Sequence, residues 1–473
     1  MYINSLILRD LRSLKLAEID FRTPTDSERD PAVVPNVTLL LGDNGSGKTT
    51  ILRAIALAVL GPVLPESGFV PQNLVRRVGK STRPQAHTEA EMVLHWQDLG
   101  RKRPSADSLQ LKLETTIRRV RDLERVERTR MDAPQLQEMY SDRSPAFLLV
   151  GYGAARRVES SQTYDSSLRG KSRLVRYQRV ASLFEEQVTL IPLVSWLPKY
   201  QRGNPGRYKQ VTDLLRALLP AECRFTGRVE RGEYLFAYRG TPVPFSALSD
   251  GYRAYLAWIS DLLYHVCMGC PSGVKLTENR GIVLIDEIDL HLHPEWQRDV
   301  VPRLNSALPL LQFVITSHSP IVTGTLESTN IIVLQPSSNG AIARRLTERV
   351  HGLNAEQILR SSYFGLETTR AKGSVNILRT LARRAFEGDQ HAAIEYVKHL
   401  HAGLTTDETT PSPTDQRTTS HLKSRARART KVTSEVDAAE NPPNTKTGIV
   451  NPPRSRSKSA APQSKTNNSR KGK

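Results

Sequence analysis

Alternating apolar and polar residues mark the first part of the chain. Residues 2–21 alternate in two segments, YINSLILRDL and SLKLAEIDF, and the pattern continues in EMVLHW (91–96) and LQLKLETTIRRVRDLERVE (109–127). A period of two is typical of strands that have one buried face. We therefore predict strands in these segments, the last of them long enough to form a hairpin.

Uninterrupted apolar runs indicate a second set of strands. These runs are VTLLL (37–41), AFLLV (146–150), IVLID (282–286) and LQFVITSH (311–318), and GEYLFAYRG (232–240) is a further strand-like segment. Parallel strands that are covered by helices on both faces have this composition because neither face meets water. The runs therefore predict strands of a buried central sheet.

Apolar residues three or four positions apart predict helices between these strands. Residues 48–60 form one such segment, and residues 160–222 and 353–403 are expected to be mainly helical. Another helix is expected to begin after Ser249, because serine is a favoured N-cap residue. The apolar residues of this helix share one face: Leu256, Ile259, Leu263 and Val266. The whole pattern predicts an α/β fold with a mixed central sheet flanked by helices.

Composition separates the C-terminal tail from the rest of the chain. Residues 404–473 are rich in Pro, Ser, Thr, Asn, Lys and Arg and contain few apolar residues. Such a segment cannot bury enough surface to offset the entropy of ordering, so we predict a disordered basic tail. Residues 1–403 are expected to form one domain, with a helical lever insert at about 62–244 and a helical C-terminal segment at about 351–403.

The chain of 473 residues is strongly basic, with a formal net charge of +19. The tail contributes +8, from 14 Lys and Arg against 6 Asp and Glu, which leaves +11 on residues 1–403. A basic excess favours an anionic partner, most simply nucleic acid, although a solvated surface that keeps the protein soluble has the same composition. Charge alone leaves both interpretations open.

Three features predict a cytoplasmic protein without a membrane span. Only three cysteines occur, which fits a reducing compartment. The N-terminal residues run directly into strand-like sequence rather than a secretory leader. The longest apolar helical stretch, Ile51–Leu64, is interrupted by Arg53 and by Gly61-Pro62 and is too short to cross a bilayer.

A glycine-rich sequence between a strand and a helix predicts a phosphate-binding loop. The sequence GDNGSGKT matches G-x-x-x-x-G-K-[ST], in which backbone N–H groups and the helix N-terminus converge on phosphate oxygens. The lysine is expected to neutralise the β- and γ-phosphates, and the following threonine to bind Mg²⁺. The predicted nucleotide-binding residues are Gly42, Asp43, Asn44, Gly45, Ser46, Gly47, Lys48, Thr49 and Thr50.

Acidic residues at the end of a second apolar strand predict the other half of a hydrolytic site. Asp286 is expected to hold Mg²⁺, and Glu287 to polarise the attacking water. His318, at the end of the third strand, is expected to contact the γ-phosphate. Asp289 occupies a position suited to a subunit contact.

Two short motifs allow a metal-binding interpretation that we consider weak. His291 and His293 form H-x-H, but no further His or Cys nearby completes a zinc shell, so a role in the turn before Pro294 is favoured. Cys267 and Cys270 form a single C-x-x-C without a second pair.

The order of these motifs resembles that of ABC-type ATPases. GDNGSGKT, LSDGYR (248–253), LIDE (284–287), Asp289 and His318 follow one another as they do in that family. IDEIDLHLHP and ITSHSP resemble the branch that includes RecF, SMC-like and OLD-type ATPases. LILRDLRSLKLAEIDF is similar to the opening strands of that branch, and Arg12 matches a residue expected near the nucleotide. The resemblance implies a P-loop NTPase with an ABC-ATPase head.

The resemblance also implies how nucleotide is shared. Ser249, Asp250 and Gly251 match the ABC signature, which contacts the γ-phosphate bound by the opposite subunit. A head-to-tail homodimer, or a higher homo-oligomer, would therefore hold ATP and Mg²⁺ between the glycine-rich loop of one chain and Ser249 of the other.

A narrower resemblance, over about residues 1–400, is to the ATPase subunit of Septu-type anti-phage defence systems. It is carried by GYGAARR (151–157), the SLF near residue 183 with Trp196 beyond it, and VHGLNAEQILRSSYFGL (350–366). The sequence departs from transporter-type ABC enzymes at one point. Those enzymes place a glutamine after the strand that corresponds to AFLLV, where this chain has Tyr152-Gly153 and Arg156.

Three functions are compatible with these residues. The first is an ATPase that dimerises on ATP and regulates a partner effector, a nuclease, in anti-phage defence. The second is a RecF-like DNA-repair ATPase that binds DNA directly. The third is a nucleotide-gated assembly platform that hydrolyses little ATP.

Overall fold

The computed structural model describes most of the chain outside the C-terminal tail. The described residues are 1–25, 34–78, 81–82, 84–95, 108–127, 134–141, 144, 148–156, 176–337 and 340–401. The chain divides into two compact units, residues 1–369 and residues 370–473. The predicted tail (404–473) and part of the predicted helical region (160–175) lie outside the described residues. The predicted extent of the domain, 1–403, stays a prediction.

An antiparallel sheet forms from the alternating segments. Its strands are β1 (Tyr2–Leu11), β2 (Leu14–Asp20), β6 (Gln85–His95), β7 (Ser108–Val120) and β8 (Leu123–Val126), in the order β2-β1-β6-β7-β8. Alternate residues of β7 are buried, as the sequence pattern predicts. The predicted hairpin at 109–127 is β7 and β8, which pair from Ile117–Val126 to Val120–Leu123.

A six-stranded mixed sheet lies at the centre of the first unit. Its strands are β3 (Val37–Gly42), β9 (Leu149–Tyr152), β13 (Gly281–Ile285), β14 (Leu311–Thr316), β15 (Ile331–Ser337) and β16 (Gly340–Arg344). The order is β16-β15-β3-β14-β13-β9, and every neighbouring pair is parallel except β15 and β16. The strand predicted at 146–150 is observed from Leu149 to Tyr152, and residues 145–147 lie outside the described residues.

Both faces of this sheet are buried, which explains the uninterrupted apolar runs. Leu39 and Leu41 belong to one hydrophobic cluster, and Leu40 between them belongs to the other. Helix α1 (Lys48–Leu60) packs in the second cluster with the antiparallel sheet, and most of its side chains are buried. α1 therefore lies between the two sheets.

Helices cover the opposite face of the central sheet. These are α3 (Leu193–Gly203), α4 (Pro205–Leu218), α5 (Asp250–Gly269) and α6 (Pro294–Ala307). A small antiparallel sheet joins this layer, with strands β10 (Cys223–Glu230), β11 (Glu233–Tyr238) and β12 (Thr241–Pro244). The predicted insert at 62–244 thus contains strands of four sheets as well as helices. None of the helices among the described residues is long and apolar enough to cross a membrane.

Shorter elements complete the described chain. In the first unit they are α2 (Pro134–Tyr140), α7 (Pro320–Thr323), α8 (Ala355–Arg360) and the two-residue strands β4 (Arg77–Val78) and β5 (Ser81–Thr82). The second unit contains α9 (Lys372–Phe386) and α10 (Gln390–His401), which form a helical hairpin. Asp389, in the turn between these helices, pairs with Arg384 and accepts a hydrogen bond from the N–H of Ala392.

A buried amide connects the two large sheets. The Gln312 side chain on β14 is fully buried. Its Oε1 accepts a hydrogen bond from Ile3 N at 2.8 Å, and its Nε2 donates to Ile3 O at 2.7 Å and to Arg22 O at 2.8 Å. These bonds hold the start of β1 against the central sheet.

Replacing Gln312 with leucine is expected to destabilise the first unit by about 2–4 kcal/mol, because the substitution leaves the N–H of Ile3 and two carbonyls buried without partners. Urea unfolding followed by circular dichroism measures the change. Gln110→Leu, at an exposed position of β7, is the control and is expected to change stability by less than about 0.5 kcal/mol. An equal effect of the two substitutions would contradict the assigned role of Gln312.

Candidate functional site

The loop between β3 and α1 has a backbone conformation that requires glycine. Gly42, Gly45 and Gly47 have φ values of 144°, 80° and 106°, a region that other residues rarely adopt. A Cβ atom on Gly42 would lie 2.7 Å from Leu334 O and 2.8 Å from Ser46 Oγ. The loop therefore turns tightly against β15 before α1 begins at Lys48.

Lys48 lies inside this loop. Its ammonium group donates to Gly42 O at 2.7 Å and to Asp43 O at 3.0 Å, and the side chain is buried. Burial lowers the pKa of Lys48, and the neighbouring carboxylates of Asp286 and Glu287 oppose that shift. The loop thus places one cation where the helix N-terminus already favours an anion.

The Asp286 carboxylate joins three elements at the carboxyl edge of the central sheet. Its Oδ2 accepts a hydrogen bond from Thr49 Oγ1 on α1 at 2.7 Å, and its Oδ1 accepts one from Thr316 Oγ1 on β14 at 2.7 Å. Asp286 itself follows the last residue of β13 and is buried. The sequence analysis predicted the proximity of Thr49 and Asp286 but did not identify Thr316.

The next residue, Glu287, has an unusual backbone conformation. Its φ is 50°, and its N–H donates to Thr316 Oγ1 at 2.7 Å. A positive φ at a residue other than glycine costs roughly 1–3 kcal/mol and is retained where surrounding contacts enforce it. The turn directs the half-buried Glu287 side chain to the wall of the cavity described next.

A cavity of about 670 Å³ brings most of the predicted site together. The predicted residues that line it are Arg12, Asn44, Gly45, Gly47, Lys48, Thr49, Thr50, Asp286, Glu287 and His318. Gly42, Asp43 and Ser46 shape the loop without lining the cavity. His318 is exposed and follows β14 by two residues.

Sequence reasoning missed part of the wall. Arg53, Asn73 and Arg77 also line the cavity, and Arg77 donates to the Asn73 side chain at 2.7 Å. Apart from Lys48 at its start, Arg53 is the only charged residue of α1, which is a signal that could have identified it. Asn73 and Arg77 belong to an irregular segment without a recognisable period.

The positions of Arg12 and of the Asn73–Arg77 segment depend on each other. Arg12, in the turn between β1 and β2, has a φ of 50°, and its N–H donates to Leu74 O at 2.8 Å. The buried Glu124 carboxylate accepts from the N–H groups of Leu74 at 2.7 Å and Val75 at 3.2 Å. The antiparallel sheet therefore supplies one side of the cavity.

The donor set fits a nucleotide with Mg²⁺. Ser46 Oγ in the loop is buried and has no hydrogen-bond partner among the described residues, which is the state of a hydroxyl that awaits a ligand. Thr49 and Asp286 provide hydroxyl and carboxylate oxygens, the ligand types that Mg²⁺ prefers. Which of these groups bind nucleotide or metal stays a prediction.

The signature residues lie outside this cavity. Ser249 is the N-cap residue of α5 and is exposed, and its side chain makes no capping hydrogen bond. Asp250 is exposed and pairs with Arg253, while a Cβ on Gly251 would lie 3.0 Å from His291 O. One chain therefore does not bring Ser249 to its own phosphate-binding loop.

The remaining candidate residues have local contacts. Asp289 is half-buried, and its Oδ1 has no hydrogen-bond partner among the described residues. His293 Nδ1 accepts a hydrogen bond from Glu295 N at the start of α6, in the turn before Pro294. Cys267 is buried, and burial raises the pKa of its thiol to about 12. The described residues contain no group of three or more metal-binding side chains.

Comparisons with known proteins show which families and proteins the chain is similar to. A family model described as "AAA domain, putative AbiEii toxin, Type IV TA system" matches residues 159–323, and one described as "AAA domain" matches residues 5–129. Septu protein PtuA of Bacillus mycoides (strain KBAB4) is 26% identical over 374 residues, which are 78% of this chain and 45% of that protein.

Other relatives match shorter segments. Septu protein PtuA of Bacillus thuringiensis is 25% identical over 195 residues, which are 40% of this chain and 49% of that protein. The Retron Ec83 probable ATPase of Escherichia coli is 33% identical over 153 residues, which are 32% of this chain and 28% of that protein. The chain thus spans less than half the length of each of these relatives.

Among solved structures, the SMC head bound to the C-winged helix domain of ScpA is similar over 73% of this chain and 98% of its own, with a TM-score of 0.46 and 16% identity. The two family models and the motif set together indicate a P-loop ATPase with an AAA-type domain. Within that class, the chain is related to the Septu-type ATPases.

Gly42→Ala is expected to weaken nucleotide binding by at least about tenfold, because the new Cβ clashes with a main-chain carbonyl and the φ of 144° is unfavourable for alanine. A fluorescent ATP analogue measures the equilibrium Kd. Gly68→Ala is the matched control: its φ of 79° is also positive and its Cβ meets no atom within 4 Å, but it lies outside the loop and the cavity. A Gly42→Ala protein that binds as tightly as the wild type would show that the loop does not hold phosphate.

Proposed function

We propose that this protein binds and hydrolyses ATP between two copies of itself and thereby regulates a partner effector, a nuclease, in anti-phage defence. The observation that carries the proposal is the position of Ser249. The exposed start of α5 has a serine whose side chain makes no capping hydrogen bond, and it lies outside the cavity that most of the other predicted residues line. A second copy can supply the missing half of the site.

Each predicted residue has a chemical task in this proposal. Lys48 and the loop N–H groups bind the β- and γ-phosphates. Thr49 and Asp286 hold Mg²⁺, which when bound neutralises charge on the phosphates. Glu287 orients and polarises the attacking water, and His318 contacts the γ-phosphate from the neighbouring strand end. Arg12 lines the same cavity from the turn between β1 and β2.

In this proposal, the dimer closes because both copies bind the γ-phosphate of the same ATP. The positive end of α5 and the Ser249 hydroxyl of one copy bind the phosphate held by the other, so ATP favours the closed dimer and hydrolysis releases it. The half-buried Asp289 follows Glu287 by two residues and is the residue assigned to a contact with the second copy.

The proposed regulation of an effector is supported by the similarity of this chain to proteins of defence systems. Relatives of this chain carry the names Septu protein PtuA and retron probable ATPase, and Septu-type ATPases belong to anti-phage defence systems. In this role the closed and open dimers present different surfaces to the effector, so that nucleotide state controls its activity.

Mixing two inactive variants is expected to restore ATP hydrolysis. Lys48→Ala removes the loop cation, and Ser249→Arg blocks the start of α5. In a mixed dimer, the intact loop of the second variant faces the intact Ser249 of the first. Random pairing gives half mixed dimers with one intact site each, so we expect about a quarter of wild-type activity in phosphate-release assays.

Each variant alone is the control and is expected to be nearly inactive. If the mixture shows no more than the sum of the separate activities while the Ser249→Arg variant still binds ATP and mixed dimers form, nucleotide is not shared between copies. If wild-type protein itself hydrolyses no ATP, the enzymatic part of the proposal is wrong.

Glu287→Gln protein with ATP is expected to retain an effector polypeptide that wild-type protein releases after hydrolysis. Affinity purification from the native host with and without ATP, followed by a DNA-cleavage assay of the co-purifying polypeptide, tests this. The +11 charge of residues 1–403 favours one other result, direct DNA binding. In that case nucleic acid co-purifies instead, and its affinity falls steeply with salt, by about 0.9 log units per log unit of salt for each phosphate contact.

A further inference from the structure

Arg156 holds the main chain on which the predicted general base lies. Its Nη2 donates to Asp286 O at 2.5 Å and to Glu287 O at 3.1 Å, and its Nε donates to Gly153 O at 3.2 Å. Burial lowers the pKa of Arg156 to about 10, with Asp286 opposing the shift, so the guanidinium group stays charged at neutral pH. Three carbonyl groups from two chain segments thus converge on one cation.

The sequence around Arg156 is built for this approach. A Cβ on Gly153 would lie 2.0 Å from Ser182 O, and one on Gly151 would lie 2.5 Å from a Leu183 methyl group. Only glycine allows the chain that leaves β9 to pass this close to residues 182–183. The two glycines of GYGAAR therefore fix the path that brings Arg156 to the end of β13.

The turn at Glu287 needs such support. Its positive φ is strained, and the contacts that enforce it are the bond from its N–H to Thr316 and the bonds from Arg156 to its own carbonyl and the preceding one. Thr316 secures the amide side of the residue and Arg156 secures the carbonyl side. Without Arg156, the carbonyl side loses its donor and the turn can relax to negative φ.

Arg156 also contacts the helix that begins at Ser249. Its guanidinium carbon lies 5.6 Å from the centre of the Trp258 ring on α5, a cation–π geometry. Next to it, the Tyr152 hydroxyl donates to the buried Asp261 carboxylate of α5 at 2.8 Å. The Glu287 turn is therefore connected to α5 through side chains that leave little room for independent movement.

We propose that Arg156 is a positioning residue for Glu287, acting on the hydrolysis step and not on nucleotide binding. This inference rests on the proposed ATP hydrolysis. Arg156 is not among the residues that line the cavity, so its effect passes through the Asp286–Glu287 main chain. Loss of its hydrogen bonds moves the Glu287 carboxylate away from the attacking water while Lys48 and the phosphate-binding loop stay in place.

Arg156→Met is expected to lower kcat by about 30- to 100-fold, because a displacement of about 1 Å at a catalytic group costs up to about 100-fold in rate. The Kd for a fluorescent ATP analogue is expected to stay within about twofold of wild type. Methionine keeps a long apolar side chain against Trp258 but has no N–H donors. Arg156→Lys, with one flexible donor group, is expected to recover part of the lost kcat.

Arg303→Met is the matched control. Arg303, on α6, also donates to main-chain carbonyls and, like Arg156, does not line the cavity. Its partners are the carbonyls of Ala217 and Leu219, so its hydrogen bonds do not hold the Asp286–Glu287 main chain. Its loss is expected to leave kcat within about twofold of wild type. If Arg156→Met unfolds, the comparison is made between Arg156→Lys and Arg303→Lys.

A double substitution distinguishes loss of Glu287 positioning from a general disturbance of the structure. In the Glu287→Gln background, Arg156→Met is expected to lower the residual turnover by no more than about twofold, because the residue it positions has already lost its function. A further loss of 30-fold or more, a parallel loss of ATP binding, or an unchanged kcat would each overturn the inference. An inactive wild-type protein would instead refute the proposed function.

Discussion

The bonds that Asp286 receives from Thr49 and Thr316 are the contacts on which the rest of the site depends. They join the start of α1, the end of β13 and the end of β14 at a single buried carboxylate. A buried carboxylate is stable only with full hydrogen bonding, so the three elements must meet in one arrangement. The glycine loop, the Glu287 turn and the cavity wall take their positions from this point. The two large sheets, with α1 between them, supply the rigid frame.

A single chain brings together most of the predicted site residues but not the signature residues. Within a single chain, one cavity is lined by the predicted phosphate-binding loop, by the acidic end of β13 and by His318. Ser249 does not line this cavity and begins α5 on another part of the surface. α5 is nevertheless connected to the acidic strand end through Arg156, which lies over the Trp258 ring and donates to the carbonyls of Asp286 and Glu287. In the proposed dimer, this helix therefore contacts Arg156 of its own chain and offers its N-terminus to the second copy.

Sequence patterns predicted the elements more completely than the contacts between them. The apolar runs marked β3, β13 and β14 because both faces of the central sheet are buried, and the spacing of GDNGSGKT marked the loop because its shape requires glycine at fixed positions. Thr316 and Arg156 were not recognised as supports of the Asp286–Glu287 turn, since their partners in it are main-chain atoms and a side chain 29 to 131 positions away. Contacts between residues this far apart leave no periodic pattern in the local sequence. Arg77 was missed for a similar reason: Glu124, which anchors its segment, lies on a distant strand.

The strand order of the central sheet has a consequence for synthesis of the protein. β3, which ends in the phosphate-binding loop, pairs with β14 and β15, and both neighbours follow it by more than 260 residues. On the ribosome, β3 therefore emerges long before either partner exists. Contacts this distant in sequence make folding slow, and apolar strands remain exposed in the meantime. Nascent chains that stop short of β14 retain the complete GDNGSGKT sequence but cannot fold it into a loop.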